Sequence, residues 1–294
     1  MDGSAITQVL VSALTLGGVY AISAIGLALL WGVMGMLNLA HGAIMAIGAY
    51  ASAIAVSTFG LPWYLGLPVA FLVGLCAGAG LYAAAIRWML DKSGYETNVV
   101  VMTVGVAILV KSLLIIGFTA NPKRQPFALD GGIYLGEVFL PSQTIAIFLI
   151  SVGLMAALTL VLHRTMLGRA IRAVSQQRMA ASLMGIPATR IYLQVLMIAS
   201  ALAAVSGVLV SSVGNVSPVT GEAALLKVFI ICVVAGLGNL PGTILVSFAM
   251  ALFEVTVQYV FSAQWGYPLM ITAAILVLIA KPAGVFGSER VERS

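Results

Sequence analysis

Few side chains in this sequence could act as an acid, a base, a nucleophile or a metal ligand. The two histidines, His41 and His163, lie far apart, and both cysteines, Cys76 and Cys232, lie in apolar runs typical of small buried residues. We find no HExxH, GxSxG or GxxxxGK(S/T) motif and no paired carboxylates on a helix face. The sequence therefore predicts neither an enzyme active site nor a metal site, and any ATP would be hydrolysed by another chain.

The residues that could carry chemistry are three charges inside apolar runs: Lys111, Lys227 and Glu254. A charge within a membrane is costly, so such residues are usually paired or face a cavity. We predict that Glu254 pairs with Lys111 or Lys227, about 10–12 Å from the outer ends of the helices, and helps to hold the bundle together. Two alternatives are independent snorkelling of each lysine to the headgroups and binding of a zwitterionic substrate by these charges.

The composition indicates what kind of protein holds these charges. Of 294 residues, 62% are hydrophobic and only 8% are charged, against about 25% charged in soluble domains. We therefore predict an all-α integral membrane protein, with residues 1–294 forming a single transmembrane domain of about eight to ten helices. The net charge of +5 does not indicate nucleic-acid binding, because the position of charges in a membrane protein matters more than their sum.

Apolar runs and their breaks predict the individual spans. The acidic start Met1-Asp2-Gly3 and an apolar run that continues to Leu30 predict an uncleaved first helix. Nine runs are suitable for crossing a membrane: Ile6–Leu30, Leu39–Phe59, Tyr64–Leu90, Asn98–Thr119, Thr144–Leu162, Ile191–Val213, Ala223–Ala235, Thr243–Phe261 and Tyr267–Ala280.

Basic residues predict the orientation. The loop Arg164–Arg190 contains five arginines and no acidic residue, and basic residues recur at Arg87–Lys92 and in the tail at Lys281, Arg290 and Arg293. With nine crossings all three segments fall on one side, which the excess of positive charge identifies as cytoplasmic. The N-terminus is then on the outer side of the membrane and the C-terminus is cytoplasmic.

Two glycine-rich breaks are candidates for a substrate path. Trp31–Leu37 interrupts the first apolar stretch, and Ala223–Ala235 is short for a span and is followed by a second glycine-rich break. Short, glycine-interrupted segments in two halves of a chain indicate a path in transporters, whereas the alternative is close helix packing. The pore or gating candidates are Asn38, His41, Gly42, Gly236, Gly238 and Asn239.

The predicted cytoplasmic loop, residues 164–190, contains a short amphipathic helix. Ser175 is expected to cap it, and Gly185 to end it in a left-handed conformation before Pro187. Met179, Leu183 and Ile186 then share one face at spacings i, i+4 and i+7. Such a face needs either lipid headgroups or a groove on a cytoplasmic partner, and both alternatives stay open at this point.

Several motifs in order resemble those of one family, the permeases of branched-chain amino acid ABC importers (LivH type). The resemblance covers most of the chain and lies in five segments: Gly17–Ala21 with Gly26–Val33, Asn38–Gly42 with Gly48–Tyr50, Gly168–Ala173 with Leu183–Ile186, Gly236–Gly242, and Lys281–Gly287. The family commonly carries an acidic residue near positions 176 and 177, where this chain has two glutamines.

The resemblance implies a fold, partners and a substrate class. It implies discontinuous helices near the membrane midplane in the bacterial cytoplasmic (inner) membrane, and a second, related permease of LivM type. It also implies two cytoplasmic subunits that bind ATP and Mg, and a periplasmic binding protein. Substrates would be branched-chain or related hydrophobic amino acids, with urea, short amides or aromatic acids as alternatives. The residues implied to couple to the ATPase are Arg169, Arg172, Ser175, Gln176, Gln177, Arg178, Ala180, Ala181, Leu183, Met184 and Gly185.

A channel or an ion-coupled secondary transporter is the less favoured alternative. It would need its own relay of acidic or histidine side chains across the membrane. Only Glu254 and Glu222 are candidates. The chain has a docking loop but no ATP-binding motif. This combination favours a transport subunit that is driven by ATP hydrolysis in a partner subunit.

Overall fold

A computed structural model describes residues 3–287, except 91, 93, 120, 128, 130, 136 and 137. The predictions for Met1, Asp2, Arg290 and Arg293 lie outside the described residues. The α-helices are α1 Gly3–Met34, α2 His41–Ser57, α3 Gly66–Ala84, α4 Tyr95–Phe118, α5 Ser142–Arg164, α6 Met166–Gln176, α7 Arg178–Leu183, α8 Ala188–Val213, α9 Thr220–Ala235, α10 Leu240–Val260 and α11 Gly266–Ala280. Single 3-10 turns precede α3 and α11 at Trp63–Leu65 and Ala263–Trp265, and a third follows α3 at Ile86–Trp88.

The nine predicted apolar runs each fall on one helix, which confirms the all-α membrane fold. Among the described residues, seven helical segments are long and apolar enough to cross a membrane. The other two helices, α2 and α9, have 17 and 16 residues, or about 25 Å of length each. The first break was predicted at Trp31, but α1 continues to Met34 and the chain turns at Gly35, whose φ of +64° favours glycine.

One short β-hairpin lies in the polar stretch between α4 and α5. Strand β1 (Gly132–Leu135) pairs antiparallel with β2 (Val138–Pro141), so that Ile133 lies opposite Leu140. The sequence shows only a polar break between two apolar runs here, because four-residue strands carry little periodic signal.

Helices α1 and α8 form the centre of the bundle and run antiparallel. Ser206 on α8 donates a hydrogen bond to the carbonyl of Val19 on α1 over 3.4 Å, and further along the pair Gly26 approaches Ala199. Small residues on α8 permit this close approach, as at other membrane helix interfaces. Nearly nine-tenths of the apolar part of α1 is buried, whereas α4 buries only 11% of its own.

The element order of α1–α4 recurs in α8–α11. Each unit has a long helix, a six-residue connection (residues 35–40 and 214–219), a short helix and two further helices. The first helix of each unit packs on the third helix of the other, α1 on α10 and α8 on α3. Since α1 and α8 are antiparallel, the two units have opposite orientations, the arrangement of inverted repeats in transporters.

The starts of the short helices α2 and α9 meet at Gly42 and Gly221. A Cβ atom on Gly221 would overlap the carbonyl group of Gly42. Replacing Gly221 with alanine is therefore expected to destabilise the protein by about 1–3 kcal/mol, measured as a lower midpoint of thermal unfolding in detergent. Gly105 on α4 is the matched control, because no atom lies near its Cβ position. Equal effects of the two substitutions would contradict the close contact.

Candidate functional site

The predicted cytoplasmic loop folds into two helices, α6 and α7, where one was expected. Thr165 caps α6, since its side-chain oxygen accepts the Gly168 N–H over 3.1 Å. The prediction that Ser175 caps a helix is wrong, because Ser175 lies in the last turn of α6 and donates to the Arg172 carbonyl over 2.9 Å. The helix that follows begins only after Gln177, whose extended backbone breaks α6 from α7.

The end of α7 follows the prediction. Gly185 adopts φ +81° and stops the helix in the left-handed region. Pro187 then precedes the first residue of α8. The resulting tight connection fixes α7 against the end of the long, buried helix α8.

Three apolar side chains on and beside α7 are exposed. Met179 is 72% exposed, and Leu183 and Met184 are each 83% exposed; we call these three residues the α7 apolar face. Ile186, which was expected on this face, is half-buried. Ala181 on the other side of α7 is buried, and the Arg178 guanidinium lies 5.4 Å from the Tyr192 ring centroid. One side of α7 therefore packs against the protein, and the other side is exposed.

The remaining coupling candidates lie around this face. Arg172 donates a hydrogen bond to the Leu162 carbonyl at the end of α5, and the Arg169 guanidinium contacts the Met166 sulfur. The Arg172 contact joins α6 to the end of α5, whereas the Arg169 contact lies within α6. The side chains of Gln176, Gln177 and Ala180 are exposed.

A cavity of about 760 Å³ lies between α1, α5, α8, α9 and α10. Most of its wall area is apolar, and Val9, Leu16 and Val210 are among the lining residues. The charged side chains of Lys227 and Glu254 also line it. Its surface therefore combines a broad apolar wall with one pair of opposite charges.

The two charged side chains of this cavity belong to one hydrogen-bonded cluster. The Lys227 Nζ atom lies 2.6 Å from Glu254 Oε1 and donates to the Tyr20 hydroxyl over 2.9 Å. Glu254 is 1% exposed and also accepts hydrogen bonds from the Tyr20 hydroxyl over 2.8 Å and from Gln258 over 3.1 Å. The Lys227 ammonium lies 5.7 Å from the Tyr267 ring centroid, a distance at which a cation is attracted to the ring.

The other charge of the predicted set pairs elsewhere. Lys111 Nζ lies 2.9 Å from Glu222 Oε1, so the alternative pairing of Lys111 with Glu254 is wrong. Their side chains are 34% and 56% exposed, in contrast to the enclosed Lys227–Glu254 pair.

The first group of pore candidates is enclosed at the start of α2. Asn38 and His41 are fully buried. The Asn38 side-chain oxygen accepts the Ala40 N–H over 3.1 Å, and His41 Nε2 lies 3.2 Å from the Ser23 carbonyl oxygen. Together with Gly42 they connect α2 to α1 and α9, and they do not line the large cavity.

The second group forms the turn between α9 and α10. Gly236 and Gly238 have φ values of +96° and +87°, and Gly238 packs against Gly32 near the end of α1. Asn239 caps α10 by accepting the Gly242 N–H over 2.9 Å, and it donates to the Phe286 carbonyl over 2.8 Å. The described cavity does not reach this turn, so a pore role for these residues stays a prediction.

Sequence reasoning missed two members of the charge cluster, Tyr20 and Gln258. Gln258 follows Glu254 by four residues, a spacing that places both on one helix face, so a signal for it was present. Tyr20 carries no such signal, because its contact with Glu254 spans 234 positions. No group of three or more potential metal ligands occurs among the described residues.

The bundle of apolar helices, with a Lys227–Glu254 ion pair inside it, is the architecture of a polytopic membrane protein. A sequence profile for the permease component of the branched-chain amino acid transport system matches residues 9–280. The chain therefore belongs to this family. It is a permease subunit of an ABC importer and a multi-pass protein of the inner membrane.

Individual relatives cover nearly the whole chain. The high-affinity branched-chain amino acid transport permease BraD of Pseudomonas aeruginosa is 29% identical, and the corresponding permease LivH of Escherichia coli K12 is 28% identical; each match covers 97% of both chains. The permease LivM of Escherichia coli K12 is 28% identical over 94% of this chain and 69% of LivM. Likeness to both LivH and LivM indicates a pair of related permeases within one transport system.

Proposed function

We propose that this chain and a second permease of LivM type form the path by which branched-chain or related hydrophobic amino acids cross the inner membrane. In this proposal a periplasmic binding protein delivers the amino acid. Two cytoplasmic subunits bind ATP and Mg, and one of them docks on α7 of this chain while the other docks on the second permease. The chain itself supplies no catalytic group, and its N-terminus is periplasmic and its C-terminus cytoplasmic.

The α7 apolar face is the observation that carries the docking proposal. A helix of six residues is too short to bury a large apolar area in lipid, and it lacks the tryptophan or phenylalanine typical of interfacial anchors. Because α7 is fixed to the start of α8, a displacement of α7 would be passed to a buried helix that contacts α1, α2 and α3. A partner held on this face would thus have a mechanical connection to the centre of the bundle.

The distribution of basic residues supports the proposed orientation. The Tyr82 hydroxyl at the end of α3 donates to the Thr189 carbonyl at the start of α8. The basic segments around Arg87 and Arg190 therefore lie at the same end of the bundle as α6 and α7. Such clustering favours the cytoplasmic side for this end.

The substrate proposal comes from the names of the relatives, which are branched-chain amino acid permeases. We propose that the periplasmic binding protein determines which amino acid is transported. Urea, short amides and aromatic acids are alternatives for the same architecture.

Affinity purification of the tagged chain from its native membranes in mild detergent tests the whole proposal. We expect two ATPase subunits and a second permease to copurify, identified by mass spectrometry. The binding protein of the same system is then expected to bind leucine, isoleucine or valine in isothermal titration. Recovery of this chain alone, under conditions that preserve a control ABC importer, would contradict the proposal and favour a channel or secondary transporter.

A further inference from the structure

Helix α4 contacts the rest of the described bundle along one narrow ridge. It buries 11% of its apolar part, the smallest share among the seven long helical segments described, and the side chains of α4 that are buried are those of Val99, Thr103 and Leu114. One ridge of the helix, with a spacing of four residues or a multiple of four, carries Tyr95, Val99, Thr103 and Lys111. A helix held along a single ridge has few contacts that oppose its movement.

The polar side chains of this ridge contact the connection between α1 and α2, residues 35–40. The Tyr95 hydroxyl donates a hydrogen bond to the carbonyl of Met34, the last residue of α1. Eight residues along α4, or about 12 Å, the Thr103 hydroxyl oxygen accepts the Leu39 N–H over 3.2 Å. Thr103 is 0% exposed. Helix α4 therefore holds the backbone of this connection near both of its ends.

The next polar side chain of the ridge reaches the start of α9. Lys111 Nζ lies 2.9 Å from Oε1 of Glu222, which is the third residue of α9 and follows the corresponding connection, residues 214–219. A cavity of about 20 Å³ lies at this contact, and its lining includes Ala107 and Lys111 of α4, Gly42 of α2 and Glu222 of α9. Packing between α4 and the starts of both short helices is therefore incomplete.

The cytoplasmic end of α4 lies beside the α7 helix. The Arg178 guanidinium of α7 is 5.4 Å from the ring centroid of Tyr192 on α8. The Tyr95 hydroxyl at the start of α4 is within electrostatic reach of both side chains, and Tyr95 packs against the hydrophobic cluster that contains Tyr192. The end of α4 that holds Met34 is thus next to the residue that fixes α7 to the bundle.

We propose that α4 transmits a displacement of α7 to the connections 35–40 and 214–219, and that Tyr95 and Thr103 are the residues that position the first of them. This inference rests on the proposed function, which supplies the ATPase docked on α7. Both hydroxyl contacts are to backbone groups, so a movement of α4 shifts the chain itself at the point where α1 ends and α2 begins. The Lys111–Glu222 pair extends the same movement to the start of α9.

The ratio of ATP hydrolysed to leucine transported tests the role of these two residues. Tyr95→Phe and Thr103→Val each remove a hydroxyl and keep most of the side-chain shape. The complete transporter is reconstituted in proteoliposomes with its binding protein, and both rates are measured on the same vesicles. We expect the amount of copurifying ATPase to stay unchanged and the ATP used per leucine to increase at least about threefold in each variant.

Two matched variants control for the loss of a buried hydroxyl. The Tyr82 hydroxyl donates to the Thr189 carbonyl over 2.9 Å at the same end of the bundle, but it joins α3 to α8. Thr243 is 0% exposed, and its hydroxyl donates to the Asn239 carbonyl one turn earlier. Tyr82→Phe and Thr243→Val are expected to leave the ratio unchanged. Equal ratios in all four variants would overturn the inference, whereas an unmodified chain that recovers no ATPase would reject the proposed function itself.

Distances between spin labels test the movement of α4 directly. In a background with Cys76→Ser and Cys232→Ser, labels are attached to Ile108→Cys on α4 and Leu245→Cys on α10, which are 61% and 59% exposed. The control pair joins Leu245→Cys to Leu149→Cys on α5, because α5 and α10 both pack on α1. We expect ATP binding to the complete transporter to change the α4–α10 distance by about 1–2 Å or more and to leave the α5–α10 distance constant. A constant α4–α10 distance, or an equal change in both pairs, would overturn the inference.

Discussion

Replacing Lys227 with methionine is expected to lower the stability of the protein by about 3–5 kcal/mol, the usual cost of removing one partner of a buried ion pair. The substitution keeps most of the apolar volume but leaves the Glu254 carboxylate, 1% exposed, without its cation. Tyr20 and Gln258 would still donate to Glu254, but neither is charged. The midpoint of thermal unfolding in detergent, followed by size-exclusion chromatography, measures the loss.

A double variant and a second lysine separate this charge effect from general damage. Lys227→Met combined with Glu254→Gln removes both charges and is expected to recover much of the lost stability, because no uncompensated ion remains. Lys111→Met is expected to have a much smaller effect, since Lys111 and Glu222 are both partly exposed. A double variant as unstable as Lys227→Met would contradict the account.

The charge cluster shows why sequence reasoning reached only part of this site. The positions of Lys111, Lys227 and Glu254 within apolar runs predicted that the charges would be paired, because a lone charge is costly there. Which lysine pairs with Glu254 depends on the packing of α9 against α10, which one-dimensional periodicity does not report. Glu222, the partner of Lys111, was considered only as a possible proton carrier.

Helices were predictable because their signal is local. Twenty or so apolar residues must form a helix in a membrane, since every backbone group has to be hydrogen-bonded within the segment. The hairpin at Ile133 and the division of the cytoplasmic loop into α6 and α7 depend on a few residues, and neither has such a constraint. Gly185 was an exception, because a left-handed residue at the end of a helix strongly favours glycine.

The glycines predicted as pore or gating candidates have two different structural roles. Gly42 is in a contact between two helix starts, where the absence of a side chain permits the approach of Gly221. Gly236 and Gly238 supply positive φ values in a turn. From sequence alone both look like interruptions of an apolar run, because close packing and turn formation favour the same residue.

Replacing Met179 with glutamate is expected to reduce ATP-driven uptake by at least about tenfold and to reduce the amount of copurifying ATPase. Met179 belongs to the α7 apolar face, and a carboxylate at the centre of a docking contact would lose its hydration without gaining a partner, a cost typical of interface hot spots. Because Met179 is 72% exposed, the unfolding midpoint of the isolated chain should stay unchanged. Uptake of radiolabelled leucine into proteoliposomes containing the complete transporter measures the effect.

Met166→Glu provides the matched control, because Met166 is also a methionine with 72% exposure in the same cytoplasmic segment. It lies in the first turn of α6, where a negative charge is favourable to the helix dipole, and away from α7. Uptake and ATPase binding by this variant are expected to equal those of the unmodified protein. If Met179→Glu also retained both, α7 would not be the docking helix. If both variants lost both, the effect would come from added negative charge on this side of the membrane and not from contact at α7.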